Sequence, residues 1–241
     1  MRKTLLAAAL VLAGPLAALG LDVTPHAGYT TFNMGDFNAF NDAIAGWGML
    51  PYHQHVDNGF VAGLDFTTHR FLGTPNAAWG LRTEYLQSNL SEFKDPVQDL
   101  ICFTDQATLG TALLGAELSA PLAMDGLSLG LGAWAGYGHA VLNQHRTFYQ
   151  AGPPAYAFPV QSGSFSAEIP VAELEARATY KVTHAISLSF NAGWRWADAP
   201  QMSSGGETLA NNLQLWWYDT QTPVNVDFGG ATAQGSASFS F

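Results

Sequence analysis

The segment NVDFGGATAQGSASFSF, residues 225–241, decides how the rest of the chain is read. Ala231, Ala233, Gly235, Ala237, Phe239 and Phe241 alternate with Gly230, Thr232, Gln234, Ser236, Ser238 and Ser240. That is a period of two, the pattern of a strand with one apolar and one wet face. Such a strand at the end of an open sheet would leave a raw edge, whereas closure onto a first strand would pair it.

Working outward from that strand, the same alternation recurs seven times. Expected strands run over residues 21–34, 58–71, 78–93, 108–122, 127–149, 164–181 and 186–196 before the closing one. Residues 127–138 show it most clearly, with Leu127, Leu129, Leu131, Ala133, Ala135 and Tyr137 on one side and Ser128, Trp134 and four glycines on the other. Short turns are expected at Gly73–Asn76, Asp125-Gly126 and Val182–Ala185. Long connections are expected at 35–57, 94–107, 150–163 and 198–224, the first with a short helix because Phe37, Phe40 and Ile44 share helical spacing. Long and short connections therefore alternate along the chain.

Composition points the same way. Hydrophobic residues make up 48% and charged residues 12% of the chain, against a usual charged share of about a quarter. No apolar run after the leader approaches the roughly 20 residues of a spanning helix, so strands are left as the way to place this content in lipid. Met1 to Gly20 has the form of a secretory leader: Arg2 and Lys3, an apolar core from Leu5 to Ala13, and the small-x-small exit Ala18-Leu19-Gly20. The domain division is thus 1–20 leader and 21–241 barrel. Seven basic and nineteen acidic residues remain in the second part, a net charge of −12, which argues against nucleic acid as a partner. Cys102 is the single cysteine, so no internal disulfide is expected.

The expected fold class is all-β: an eight-stranded antiparallel up-and-down transmembrane barrel with short periplasmic turns and four long extracellular loops. The pattern resembles the OmpA-transmembrane, OmpX and OmpW type of Gram-negative outer-membrane barrel over the whole of 21–241. The terminal Phe241 resembles the residue by which the barrel-assembly machinery recognises a closing strand. The resemblance implies a cell outer-membrane location, contact with outer-membrane lipids and lipopolysaccharide, and a monomer.

The wet face carries Arg82, Glu84, Glu117, Glu173, Glu175, Arg177 and Arg195. Eight strands leave an interior that side chains can fill, so opposed Arg and Glu are expected to pair across it and plug it. At least two such pairs are expected, with Glu117 within reach of Arg82 and Glu84. A gated, narrow path is the alternative. The role implied is structural or surface interaction; a narrow OmpW-like channel for small or apolar solutes is the second reading.

Other chemistry is sparse. His53-Gln54-His55 places two imidazoles on one side of an extended segment without a third ligand nearby, so no metal and no cofactor are expected. His139 lies in the lipid-facing register, where lipid A deacylases of similar barrel type carry a His-x-Ser pair; Val141 stands at the serine position, so no catalytic residue is assigned and no enzyme is expected. Trp216, Trp217 and Tyr218 form a candidate contact in the last long loop, suited either to the headgroup layer or to a partner.

Overall fold

The computed structural model describes residues 20–47, 52–69, 76–94, 101–148, 161–200, 202–204, 207–208 and 225–241. The leader up to Leu19 and the aromatic triplet Trp216, Trp217 and Tyr218 lie outside them.

Eight antiparallel strands form the wall: β1 (Leu21–Thr31), β2 (Asn58–Thr68), β3 (Ala77–Ser88), β4 (Ile101–Pro121), β5 (Leu127–Phe148), β6 (Gln161–Lys181), β7 (Ile186–Trp196) and β8 (Gly230–Ser240). Each pairs with its neighbour in sequence, and β8 returns to β1 with Asp22 opposite Ser240 and Thr30 opposite Thr232. The sheet is therefore a closed barrel. Tight reversals join β4 to β5 and β6 to β7 at one end, as at Asp125-Gly126, where Gly126 adopts φ 78° and Leu122 N–H donates to Leu127 O at 2.9 Å; the expected turn Gly73–Asn76 lies mostly outside the described residues.

Strand ends depart from the alternation in both directions. The closing strand starts at Gly230, five residues later than expected, while Val226–Asp227 pairs instead with Asp198–Ala199. Gly230 has φ 152°, and a Cβ there would lie 2.4 Å from Thr31 O; the close approach needs glycine and breaks the line of the strand. The expected third strand splits after Ser88, with Ser91–Lys94 forming a separate pairing with β4 and with Tyr52–Gln54. β4 begins seven residues earlier than its apolar alternation does. β4, β5 and β6 consequently have 21, 22 and 21 residues, against 11 or 12 in the other five.

Helix α1 (Gly35–Trp47) follows β1 at the end away from the tight turns. Asp36 in its first turn suits the positive end of the helix dipole. Phe37 is fully buried, and Asn41 Nδ2 donates to Asp105 Oδ2 of β4 at 3.0 Å. The helix thus packs onto the inner side of the long wall.

The two faces are different solvents. Leu131 is 69% exposed on the outside, in the same belt as Leu114, Phe190 and Trp194, with Tyr137 at 70% toward the outer end. Arg82, on the inside, is 0% exposed. A water-soluble barrel would reverse this arrangement; apolar outside and charged inside place the strands in lipid. No helix among the described residues is long and apolar enough to cross a membrane, and the crossing is made by strands. The protein is a transmembrane β-barrel.

Candidate functional site

Alternation puts every second side chain of a strand inside, so Glu173, Glu175 and Arg177 of β6 project inward together, as do Arg82 and Glu84 of β3. Asp65 of β2, Glu117 of β4 and Arg195 of β7 join them in a layer across the lumen. Arg82 spans it. Its Nε and Nη2 donate to Asp65 at 2.8 and 3.0 Å, its Nη1 to Glu173 at 3.2 Å and Glu175 at 3.0 Å, and its Nη2 also to Glu175 at 2.9 Å. The guanidinium carbon lies 4.3 Å from the centre of the Trp134 ring, whose Nε1 donates to Glu175 at 3.3 Å.

Two further arginines extend the layer. Arg177 donates to Glu117 at 2.8 Å, Asp65 at 3.1 Å and Glu175 at 2.9 Å. Arg195 donates to Glu84 at 2.8 Å, to Glu173 through a short contact and to Thr30 Oγ1 at 3.4 Å. Glu84 also faces His26 Nε2 at 3.0 Å and accepts from Gln234 Nε2 at 3.2 Å. Glu117, expected near Arg82 and Glu84, is bonded to Arg177, and Arg82 reaches across to β6 instead. Small inner-wall residues make room: a Cβ on Gly132 would lie 2.9 Å from Glu175 Oε1 and 3.1 Å from Trp134 Nε1.

His26 stands among these inward polar residues, as its place on the polar register of β1 implies. Asp65, Trp134 and Gln234 also belong to the layer; all three sit in inward register, but the sequence pattern of Arg and Glu alone does not single them out.

Above and below the charged layer the lumen changes character. Toward α1, the inner side chains are apolar: Val61, Leu86, Leu109, Leu142, Phe165 and Phe37 belong to one buried cluster. Toward the tight turns lies an open cavity of about 530 Å³, walled by hydroxyls such as Thr24, Thr179, Ser189 and Ser238, with Arg177 at its inner end. At its mouth His69 stands 3.5 Å from Asp22 and contacts the Ala77 carbonyl at 3.0 Å. The Asp22 carboxylate, and after it the Ala77 carbonyl, hold the imidazole pKa above its ordinary value against the opposing pull of burial.

The remaining candidates are scattered. Phe241 follows β8 on the outward register and is 46% exposed. His55 contacts Asp42 of α1 at 2.8 Å, and the His53 side chain lies outside the described residues. Among the described residues no three His, Cys, Asp or Glu side chains converge as metal ligands. His139 Nδ1 lies 2.7 Å from Glu168 on the outer surface. Val141, two residues on, is opposite Ser166 and Thr108 in register.

No protein-family model matches the sequence, and no curated protein does. Solved structures match in shape. The outer membrane protein OprG from Pseudomonas aeruginosa is similar at 11% identity over 92% of this chain and 96% of its own, with a TM-score of 0.47. A major outer membrane protein from Thermus thermophilus gives 11%, 92%, 99% and 0.46. Neisserial surface protein A gives 9%, 92%, 97% and 0.42.

Proposed function

We propose that this chain is an outer-membrane barrel with an occluded lumen, acting as a structural or surface-interaction protein at its outer end. The observation that carries the reading is Arg82: a fully buried side chain anchored on β3 that donates five hydrogen bonds to carboxylates of β2 and β6. A passage through the barrel would have to break that set, and the apolar cluster beneath α1 would then meet the solute. Outer-membrane lipid and lipopolysaccharide are the surroundings that fit the exposed belt, and the assembly machinery is the partner proposed for Phe241. Closure of β8 on β1 leaves no wall edge for a second copy, which supports a monomer.

Planar-bilayer recording of the purified barrel tests the proposal. The expected trace shows no unitary steps in the wild type. Reproducible steps would replace this reading with the narrow, OmpW-like channel, for which the cavity at the turn end supplies half a path.

A further inference from the structure

The charged layer is short of positive charge. Between the open cavity and the apolar cluster stand five carboxylates, Asp65, Glu84, Glu117, Glu173 and Glu175, against three guanidiniums, Arg82, Arg177 and Arg195. This is an excess of formal negative charge, and unmatched charge in a buried layer is costly.

A second observation lies on the adjoining wall. Asn191 of β7 is 1% exposed, and among the described residues neither its Oδ1 nor its Nδ2 has a hydrogen-bond partner. Its register partners are Arg177 on one side and Gln234 on the other. Gln234 is 2% exposed, and its Oε1 is equally without a partner while its Nε2 is spent on Glu84. Ser236, two residues along β8 and opposite His26, has a buried, unpartnered Oγ. Buried polar atoms are nearly always paired, and three oxygens on neighbouring inward positions have no partner among the described residues.

From the two together we infer a binding site for one desolvated alkali-metal cation, Na⁺ or K⁺, lined by the Asn191 and Gln234 side-chain carbonyls and the Ser236 hydroxyl beside the Glu84 carboxylate. The donors are hard oxygens of amide, hydroxyl and carboxylate type, which suit a hard cation and not a transition metal. Only one of the four is charged, which favours a monovalent ion. Ser189 and Ser238, wall residues of the open cavity, are the register partner of Ser236 and its next inward neighbour, so the ion has an approach from the turn end.

The test uses the full barrel refolded into lipid vesicles. Unfolding is measured as free Na⁺ or K⁺ is raised at constant ionic strength, with choline, too large for the site, making up the balance. One bound ion predicts that above its dissociation constant each tenfold rise in the ion lowers the unfolding equilibrium constant about tenfold. Asn191→Leu and Gln234→Met are expected to abolish that dependence, and Asn191→Asp to move it to lower concentration. Identical curves in Na⁺, K⁺ and choline would overturn the inference, as would an undiminished dependence in both apolar variants. A response to pH alone would overturn it too, by showing that protons make up the charge. If the apolar variants fail to fold, Asn191→Asp decides: an unshifted dependence refutes the site.

Discussion

Replacing Arg82 with methionine keeps most of the side-chain volume and removes the cation that joins β2, β3 and β6. Five hydrogen bonds to charged acceptors are lost. Taken singly at about 1.5–3 kcal/mol each, they would sum beyond the stability of many domains, so simple addition is wrong. The carboxylates are not left alone: Asp65 and Glu175 keep Arg177 at 3.1 and 2.9 Å, and Glu173 keeps Arg195. The cost is therefore that of breaking one buried pairing, about 3–5 kcal/mol. It should appear as a lower midpoint in a reversible urea titration of the barrel in lipid vesicles. Adding Glu175→Gln to Arg82→Met removes one stranded charge and should recover part of the loss, a coupling of about 0.5–3 kcal/mol. Conductance is recorded on the same variant, with no current expected while the apolar cluster stays in place. An Arg82→Met midpoint equal to the wild type would refute the paired layer as a source of stability, and unitary current without loss of stability would refute the plug.

Three further outcomes are expected. His69 has its pKa raised in the folded state by Asp22 and the Ala77 carbonyl; its contribution to stability is thus complete below about pH 6.5 and fades as pH climbs through the folded-state value. Asn in place of His69 should remove that segment of the stability–pH profile, and an unchanged profile would discount the pair. Leu131→Arg, on the lipid-facing side, should cost about 2–4 kcal/mol if Leu131 sits near the bilayer midplane; a cost below about 1 kcal/mol in the same lipid titration would move it to an interface. Phe241→Ala should fold in detergent as the wild type does yet accumulate poorly in the outer membrane of cells, and normal accumulation would remove Phe241 as an assembly signal.

The barrel was legible because lipid outside and a polar layer inside impose contrast on alternate residues, and where both hold, as at 127–137 and 186–196, the strand could be read with little error. The contrast inverts where the inside is apolar. Leu109, Phe165 and Ile169 point inward and are fully buried, while their outward neighbours Gln106, Thr108, Ser164, Ser166 and Glu168 are polar, so the outer halves of β4 and β6 carry the reverse of the lipid-facing pattern. That is why β4 was expected to start at 108 and not at Ile101. The charged layer was partly visible in Arg82-x-Glu84 and Glu173-x-Glu175-x-Arg177, but partner choice depends on which side chains meet across the lumen, and alternation along one strand is silent on that. Gly132 shows the same limit. It falls on the wet face and would be taken as tolerant, whereas it lies packed beneath Glu175 and Trp134, so even serine would press on both.

The seam between β1 and β8 has a consequence for timing. Thr24 and Ser238, hydrogen-bonded across it at 2.9 Å, are 214 residues apart; bringing such distant segments together costs about 5 kcal/mol in chain entropy and makes the seam a slow step, since rates fall as contacts become less local. Arg82 likewise waits for Glu173 and Glu175, 91 and 93 residues later. Until the ring shuts, the sheet has two bare margins and a row of ionised side chains on its concave side, and hydrocarbon accepts neither. An open sheet already in the bilayer would be a high-energy species, so curling and insertion have to proceed together: the wall enters lipid as it bends, and its ions are handed from water to one another without ever facing an acyl chain.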